Sequence, residues 1–477
     1  MKRLRIALLG AVVAALVGTS SAAAFTPSNA YYAKQWYLGQ DSAFDAWLAP
    51  PPFSTVKVAV IDSGVDCSLP DFAGQLAAEK SFVGGSPCID TQGHGTIVAG
   101  EIAGALNQAG VVGLAYSSHL LVAKVVDSGG TIPLKAEAAG IRWAVNHGAQ
   151  VVNLSFGAVR DPRAPNLDSY SKLEAQAVAY AVHKRAVVVA AVGNADEAYT
   201  TPWPYASWPS ALPHVIGVGA LTHAGKVPDF SDQDPVYVDI AAPGVGIFST
   251  FPKGMGQPGC ADPGYTSCAS GDYQSPDGTS FSAPQVSAAA AVLLGLDPSL
   301  TNSQVSRLLE RHTDDVNASS GCDQCPAGRD KYSGWGSLDV TKTVDFLGSG
   351  SPLPPADRYE PNDSAPQAQP LWGSRADFGA TLDFWDDPVD VYRVKLAAGQ
   401  RLNMRVAAGW ANAAVNLTLW RPGTTSLHGR SGLVARTAHP GATQHLSYPA
   451  ARGGWYVVEL RAKRHGQGRY TLKLTKS

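Results

Sequence analysis

Acyl-transfer chemistry at an amide needs a nucleophile, a base to take its proton, an acid to orient that base, and donors for the oxyanion that develops on the carbonyl. Three separated segments of this 477-residue chain offer the first three. Val58-Ala-Val-Ile-Asp62-Ser-Gly-Val-Asp66 ends an apolar, strand-like run in a carboxylate. Gly93-His94-Gly-Thr-Ile-Val-Ala-Gly100 opens a helical run with an imidazole, and Gly278-Thr-Ser280-Phe-Ser-Ala-Pro284 sets a hydroxyl ahead of the apolar helix Ala288 to Leu294. Ala190-Ala-Val-Gly-Asn194-Ala-Asp196 supplies an amide donor. Singly, each has a structural explanation: an Asp closing a strand, a Ser capping a helix, an Asn in a turn. Together the first three offer a nucleophile (Ser280), a general base (His94) and an orienting acid (Asp62).

These residues need a scaffold that brings them together. From about Thr55 to Leu347, apolar strand-like runs alternate with amphipathic helical stretches, the pattern of a parallel sheet covered by helices. Strands are expected at Val56 to Ile61, Leu120 to Val126, Val151 to Leu154, Ala186 to Val192 and Val215 to Val218, and helices at Gly95 to Leu106, Lys135 to His147, Ser171 to Lys184 and Phe281 to Leu294. In such a sheet, sites gather at the carboxyl ends of the strands, where Asp62 falls. The fold class is α/β.

The three motifs, in the order Asp, His, Ser, resemble the subtilase (subtilisin-like serine peptidase) family over roughly Ala30 to Leu347. The resemblance implies a serine endopeptidase with Asp62, His94 and Ser280 as its triad. The Asn194 side chain and the Ser280 backbone N–H would then serve the oxyanion. It also implies a polypeptide substrate lying between two backbone edges, matched by Ser128-Gly129-Gly130 and Ser155-Phe156-Gly157, where glycine lets another backbone approach closely. His94 must be neutral to act as base, so activity should fall as pH drops through the imidazole range, about 6.5 for a free histidine.

The pattern departs from the family in places. Ile97 stands where a second histidine is usual, and Phe281-Ser282 replaces the usual Met-Ala. Asp71 matches a family calcium ligand, but its partner loop Leu106-Asn-Gln-Ala-Gly-Val111 is about a residue short. Ala30-Tyr-Tyr-Ala-Lys-Gln-Trp36 already looks like the start of a mature catalytic domain, so folding without a propeptide is expected. The chemistry requires no cofactor, and calcium would be structural only.

Gly348-Ser-Gly-Ser-Pro-Leu-Pro-Pro-Ala356 has linker composition and divides a catalytic domain, 25–347, from a second domain, 357–477. The alternations Tyr392/Val394/Leu396, Leu402/Met404/Val406, Val415/Leu417/Leu419 and Tyr470/Leu472/Leu474 predict a small antiparallel β-sandwich. Through Tyr359-Glu-Pro-Asn-Asp363 and Asp390-Val-Tyr-Arg-Val-Lys-Leu396 it resembles bacterial pre-peptidase C-terminal domains. Some of those bind calcium, which makes Glu360, Asn362, Asp363, Asp387 and Asp390 candidate ligands, against the alternative of a solvated acidic edge. Residues 357–477 carry 16 Lys or Arg against 9 Asp or Glu, so this domain is basic and the rest acidic. The basic part would either attract an anionic cell-surface or matrix polymer or face the acidic catalytic domain.

Lys2, Arg3 and Arg5, the apolar run Ile6 to Val17 and then Ala22-Ala23-Ala24 read as a signal peptide over residues 1–24, far short of the roughly 20 residues that span a bilayer. The expectation is a secreted protein, extracellular or periplasmic, monomeric, with no membrane span. Six cysteines suit that compartment. Proximity favours Cys67 with Cys88, Cys260 with Cys268 and Cys322 with Cys325 among fifteen connectivities. The first two bonds would clamp the triad from either side. Two other functions share these residues: a transpeptidase or macrocyclase on the same acyl-enzyme, and a catalytically silent binding protein of the same fold.

Overall fold

The computed structural model describes residues 24–51, 53–195, 198–255, 272–427, 429–437 and 441–477. A seven-stranded sheet, all parallel, runs β2-β3-β1-β4-β5-β6-β7. Its strands are β1 (Lys57–Asp62), β2 (Leu76–Ser81), β3 (His119–Lys124), β4 (Val151–Leu154), β5 (Val187–Ala191), β6 (Val215–Leu221) and β7 (Ile240–Pro243). The helices are α1 (Trp36–Gln40), α2 (His94–Ala103), α3 (Leu134–Asn146), α4 (Lys172–His183), α5 (Ala283–Leu296), α6 (Asn302–Arg311) and α7 (Val340–Gly348).

Alternation along β1 sorts the helices onto the two faces. Val58 and Val60 pack in one core with α2, α5 and α6, whereas Ala59 and Ile61 pack in the other with α3 and α4. The connection after β1 runs to β2 on one side and the connection after the adjacent β4 runs to β5 on the other, which opens a crevice at the carboxyl ends of these two strands. The run Thr279–Leu296 is long and apolar enough to cross a membrane, but it contains α5, which is buried in the core.

Two short strands, β8 (Ser249–Thr250) and β9 (Tyr273–Gln274), pair with each other. The C-terminal region is all β. Strands β10 (Gln369–Leu371), β11 (Arg375–Asp383), β12 (Val389–Leu396), β13 (Arg401–Ala408), β14 (Val415–Trp420), β15 (Leu433–Thr437), β16 (Thr443–Pro449), β17 (Gly454–Ala462) and β18 (Gln467–Lys476) form two sheets, β10-β12-β17-β14-β15 and β11-β18-β13-β16. The alternating apolar residues read from the sequence meet in a shared core, with Tyr392, Val394, Leu417 and Leu419 from one sheet and Leu402, Met404, Leu472 and Leu474 from the other. One pairing differs from an antiparallel sandwich, since β10 runs parallel to β12.

The segment after α7 lies against α6, where Gln304 Nε2 donates to Pro354 O at 2.8 Å and Arg307 Nη1 to Pro355 O at 3.2 Å. Arg307, 3% exposed, also donates to Thr381 Oγ1 on β11 at 3.3 Å, and Trp335 packs edge-on to Trp385.

Asp41, just after α1, is fully buried, and neither carboxyl oxygen has a hydrogen-bond partner. Burial, with Asp339 adding to it, holds its pKa well above the usual range. A carboxyl that keeps its proton to higher pH when folded than when unfolded imposes no penalty below the unfolded pKa, about 3.9, and an increasing one as pH rises toward the folded value. Asp41→Asn should therefore raise Tm at pH 8, by the equivalent of roughly 1–3 kcal/mol, and leave it unchanged at pH 4. Thermal scans at the two pH values check this; equal shifts at both would refute it.

Candidate active site

Asp62 is the last residue of β1 and is buried, and its Oδ1 accepts the Ser63 N–H at 2.7 Å. His94 is the first residue of α2. Its Nδ1 lies 2.9 Å from both carboxylate oxygens of Asp62. Asp90, which the sequence reading missed, fixes this helix start. Its Oδ1 accepts from the Gln92 and Gly93 N–H groups and its Oδ2 from the Thr96 N–H and hydroxyl, satisfying donors that a helix end leaves open. Gly95 is required by close approach, because a Cβ there would stand 2.2 Å from Gly64 O and 3.1 Å from the Asp62 Cβ. Buried Lys124 donates to Ser63 O and Ile89 O, tying together the segments that follow Asp62 and precede His94.

Ser280 sits in a single 3-10 turn, Thr279–Phe281, immediately before α5 rather than inside the helix. The next-but-one hydroxyl, Ser282 Oγ, donates to Ala242 O and Pro243 O, anchoring the turn to the end of β7. Phe281 is buried with its ring 5.3 Å from the His94 ring, so the departure at this position forms part of the imidazole's packing. Asn194 follows β5; its Oδ1 accepts from the Thr279 N–H at 3.0 Å and the Thr279 hydroxyl at 3.1 Å. With the oxygen so committed, Nδ2 lies on the Gly278 side, 3.6 Å from where a Cβ on Gly278 would stand.

Asp62, His94 and Ser280 line one cavity of about 580 Å³ together with Gly130, Ser155, Phe156 and Gly157. Ser128 and Gly129 occupy the turn beside it, organised by Asp127 Oδ1, which accepts from the Gly129 and Thr131 N–H groups. Four residues distant in sequence, Asp62, His94, Asn194 and Ser280, thus converge at the crevice beside β1. The arrangement can hold an imidazole in one tautomer next to a hydroxyl and an amide donor, which is the constellation for nucleophilic attack on a carbonyl.

Residues 54–336 match the family model described as the subtilase family. The chain belongs to the subtilase family. It is 37% identical to Subtilisin from Bacillus pumilus over 54% of this chain and 83% of that one, and 36% identical to Subtilisin E from Bacillus subtilis over 54% of this chain and 60% of that one. A longer match, 34% identity over 65% of this chain and 42% of the relative, is to a probable subtilase-type serine protease of Deinococcus radiodurans. Among solved structures, this subtilase resembles Sphericase (TM-score 0.51, 28% identity, 64% of this chain and 97% of that one) and, in fold, a lanthipeptide protease (TM-score 0.50, 24% identity, 61% and 87%). It is thus a serine-type endopeptidase by family.

Disulfides Cys67–Cys88 and Cys322–Cys325 are formed; Cys260 and Cys268 lie outside the described residues. The first closes a 21-residue separation that lies between Asp62 and His94 and ends just before Asp90. Its reduction should lower stability by about 2–4 kcal/mol and shorten the half-life of activity at elevated temperature. An unchanged half-life in reductant would show that the bond does not brace the subtilase's triad.

The predicted metal ligands divide into two groups. Asp71 has both oxygens hydrogen-bonded, Oδ1 from the Val111 N–H at 2.7 Å and Oδ2 from the Tyr273 hydroxyl at 3.0 Å, and so binds the 105–111 loop directly. Glu360, Asp363 and Asp387 do come together, joined by His214 from the catalytic part, with candidate ligand atoms all within 4.8 Å of one another. Asp357, Glu360 and Asp390 form a second group. Asn362, oriented to satisfy its neighbours, turns its nitrogen toward Asp390 and Glu360. Asp387 Oδ1 is buried with no hydrogen-bond partner, an oxygen that suits a hard cation. Burial pushes the Asp387 pKa well up, with Glu360 and Asp390 adding to it; burial alone would lower that of His214, but Asp363 and Glu360 outweigh it.

Proposed function

We propose that this subtilase is an exported enzyme that hydrolyses polypeptides through an acyl-enzyme on Ser280. The Ser280 Oγ attacks the scissile carbonyl carbon while its proton passes to His94 Nε2. The Asn194 amide and the Ser280 N–H stabilise the oxyanion, and collapse expels the amine, which takes the proton from His94. Water then repeats the sequence at the ester, releasing the acid and restoring Ser280. Asp62 fixes the tautomer and stabilises the imidazolium. The observation that carries this reading is the contact of His94 Nδ1 with both oxygens of Asp62, in one cavity with Ser280.

A serine-directed phosphonate should label Ser280 alone and stop digestion of casein in step with labelling. In water enriched in oxygen-18, each new carboxyl terminus should carry the label. Joined peptides without it would mark a transpeptidase, and absence of both labelling and digestion a silent binding protein.

No cofactor enters these steps. A structural cation would be held by Glu360, Asp363 and Asp387 beside His214. The basic face supports a role in holding anionic polymers, since Arg430, Arg436, Arg461 and Lys463 line a pocket of about 310 Å³ whose carboxylate, Glu459, is occupied by the Trp420 indole and Arg461. Loss of the full chain from an anionic resin at low salt in Arg436→Gln would support that role, and unchanged retention would end it.

A further inference from the structure

Two glutamates with no part in acyl transfer line the same cavity as Asp62, His94 and Ser280. Glu137 lies in the first turn of α3 and Glu174 in the first turn of α4. They are 2% and 4% exposed, respectively. α3 and α4 pack together and bring the two carboxyls beside each other. Glu137 Oε1 is buried with no hydrogen-bond partner.

Helix formation does not explain these acids. Ser171 caps α4 by accepting the Glu174 N–H at 3.3 Å. A glutamate at that position ordinarily completes the cap by reaching back to the helix start. Here its side chain turns to Glu137 instead. Packing does not explain them either, because an apolar side chain would fill the same volume without the desolvation that burying a carboxyl entails. Burial raises the pKa of both carboxyls, and Glu174 raises that of Glu137 further. The neighbouring walls are apolar, formed by Ile132, Leu134, Phe156 and Ala158, and among the described residues lining the cavity there is no Lys or Arg. The recess has an acidic floor and apolar sides.

We propose that this recess is a specificity subsite that takes a lysine or arginine side chain of the polypeptide substrate. The methylene stem lies along Ile132, Leu134 and Phe156, and the cationic head donates to the Glu137–Glu174 pair. An ammonium or guanidinium brings several N–H donors, enough to satisfy Glu137 Oε1 and to stabilise the ionised carboxylates. The role rests on the peptidase reading above and adds a substrate class to it.

The test compares kcat/KM for pairs of peptides that differ only in carrying lysine or isosteric norleucine, scanned across positions on both sides of the bond cut. At one position lysine should exceed norleucine by about ten- to hundredfold, the range expected of hydrogen bonds to a charged group. The ratio should fall toward one in Glu137→Gln and Glu174→Gln, which keep the shape of the floor. A ratio at or below one at every position in the parent enzyme would overturn the proposal, even if the variants failed to fold. A ratio unchanged in both variants would do the same. If the parent cuts neither peptide of any pair, the peptidase reading fails instead.

Discussion

Replacing Ser280 with alanine should reduce turnover of casein about 10⁶-fold, the scale on which a serine and histidine acting as one unit raise turnover. The loss should fall on kcat, because the cavity walls Gly130, Ser155, Phe156 and Gly157, the proposed substrate contacts, are untouched. Folding should be spared as well. The turn carrying Ser280 is fixed by its neighbours, with Ser282 on β7 and Thr279 on Asn194, so removing one oxygen at position 280 leaves those bonds in place. Ser280→Ala and His94→Ala should cost similar amounts, and the double variant little more than either alone. Steady-state rates on one peptide for all three proteins check this. A Ser280→Ala protein that digests casein at the parental rate would remove the nucleophile from the mechanism.

Asn194→Ala should lower kcat by about 10²- to 10³-fold with little change in KM, since an oxyanion donor acts on charge that exists only in the transition state. This variant also loses the oxygen that accepts from the Thr279 N–H and hydroxyl, so some loss of stability accompanies it. Asn194→Asp separates the two effects. It keeps an acceptor for Thr279 while replacing the donor with an oxygen. If the aspartate variant matches the alanine one in kcat but recovers the parental Tm, the amide's catalytic share and its structural share are resolved. A parental kcat in both variants would exclude Asn194 from the oxyanion site.

Much of the catalytic scaffold could be read from the residues alone, because central strands of a parallel sheet are continuous apolar runs. Val151 to Leu154 matches β4 end to end, and the other four expected strands fall within a few residues of β1, β3, β5 and β6. Edge strands escaped notice. Leu76–Ser81 contains Glu79 and Lys80 and is half exposed, and Ile240–Pro243 is short and ends in proline, so neither carries that signal. The motifs located Asp62, His94, Asn194 and Ser280 because each sits at the end of a recognisable element. Asp90 and Lys124 lacked such a marker, since Asp90 lies in a loop ahead of the helix whose first turn it caps, and Lys124 bonds to backbone oxygens far away in the chain. Glu137 and Glu174 were hidden differently: a glutamate in the first turn of an amphipathic helix reads as a solvated, dipole-stabilised residue, and only the packing of α3 on α4 withdraws both from water. His214 was beyond reach, because the carboxylates it meets begin 146 positions later, at Glu360.

That last contact bears on how the enzyme can be shortened. Cutting the chain after Gly348 would leave Arg307 without the Thr381 hydroxyl, His214 without the carboxylates it meets, and the indole of Trp335 without its partner ring. A catalytic half prepared alone would therefore present newly wetted surface along α6 and beside β6. A minimal version intended for expression would have to be recoded at those positions, with smaller or more water-tolerant side chains, before its behaviour could stand for that of the whole enzyme.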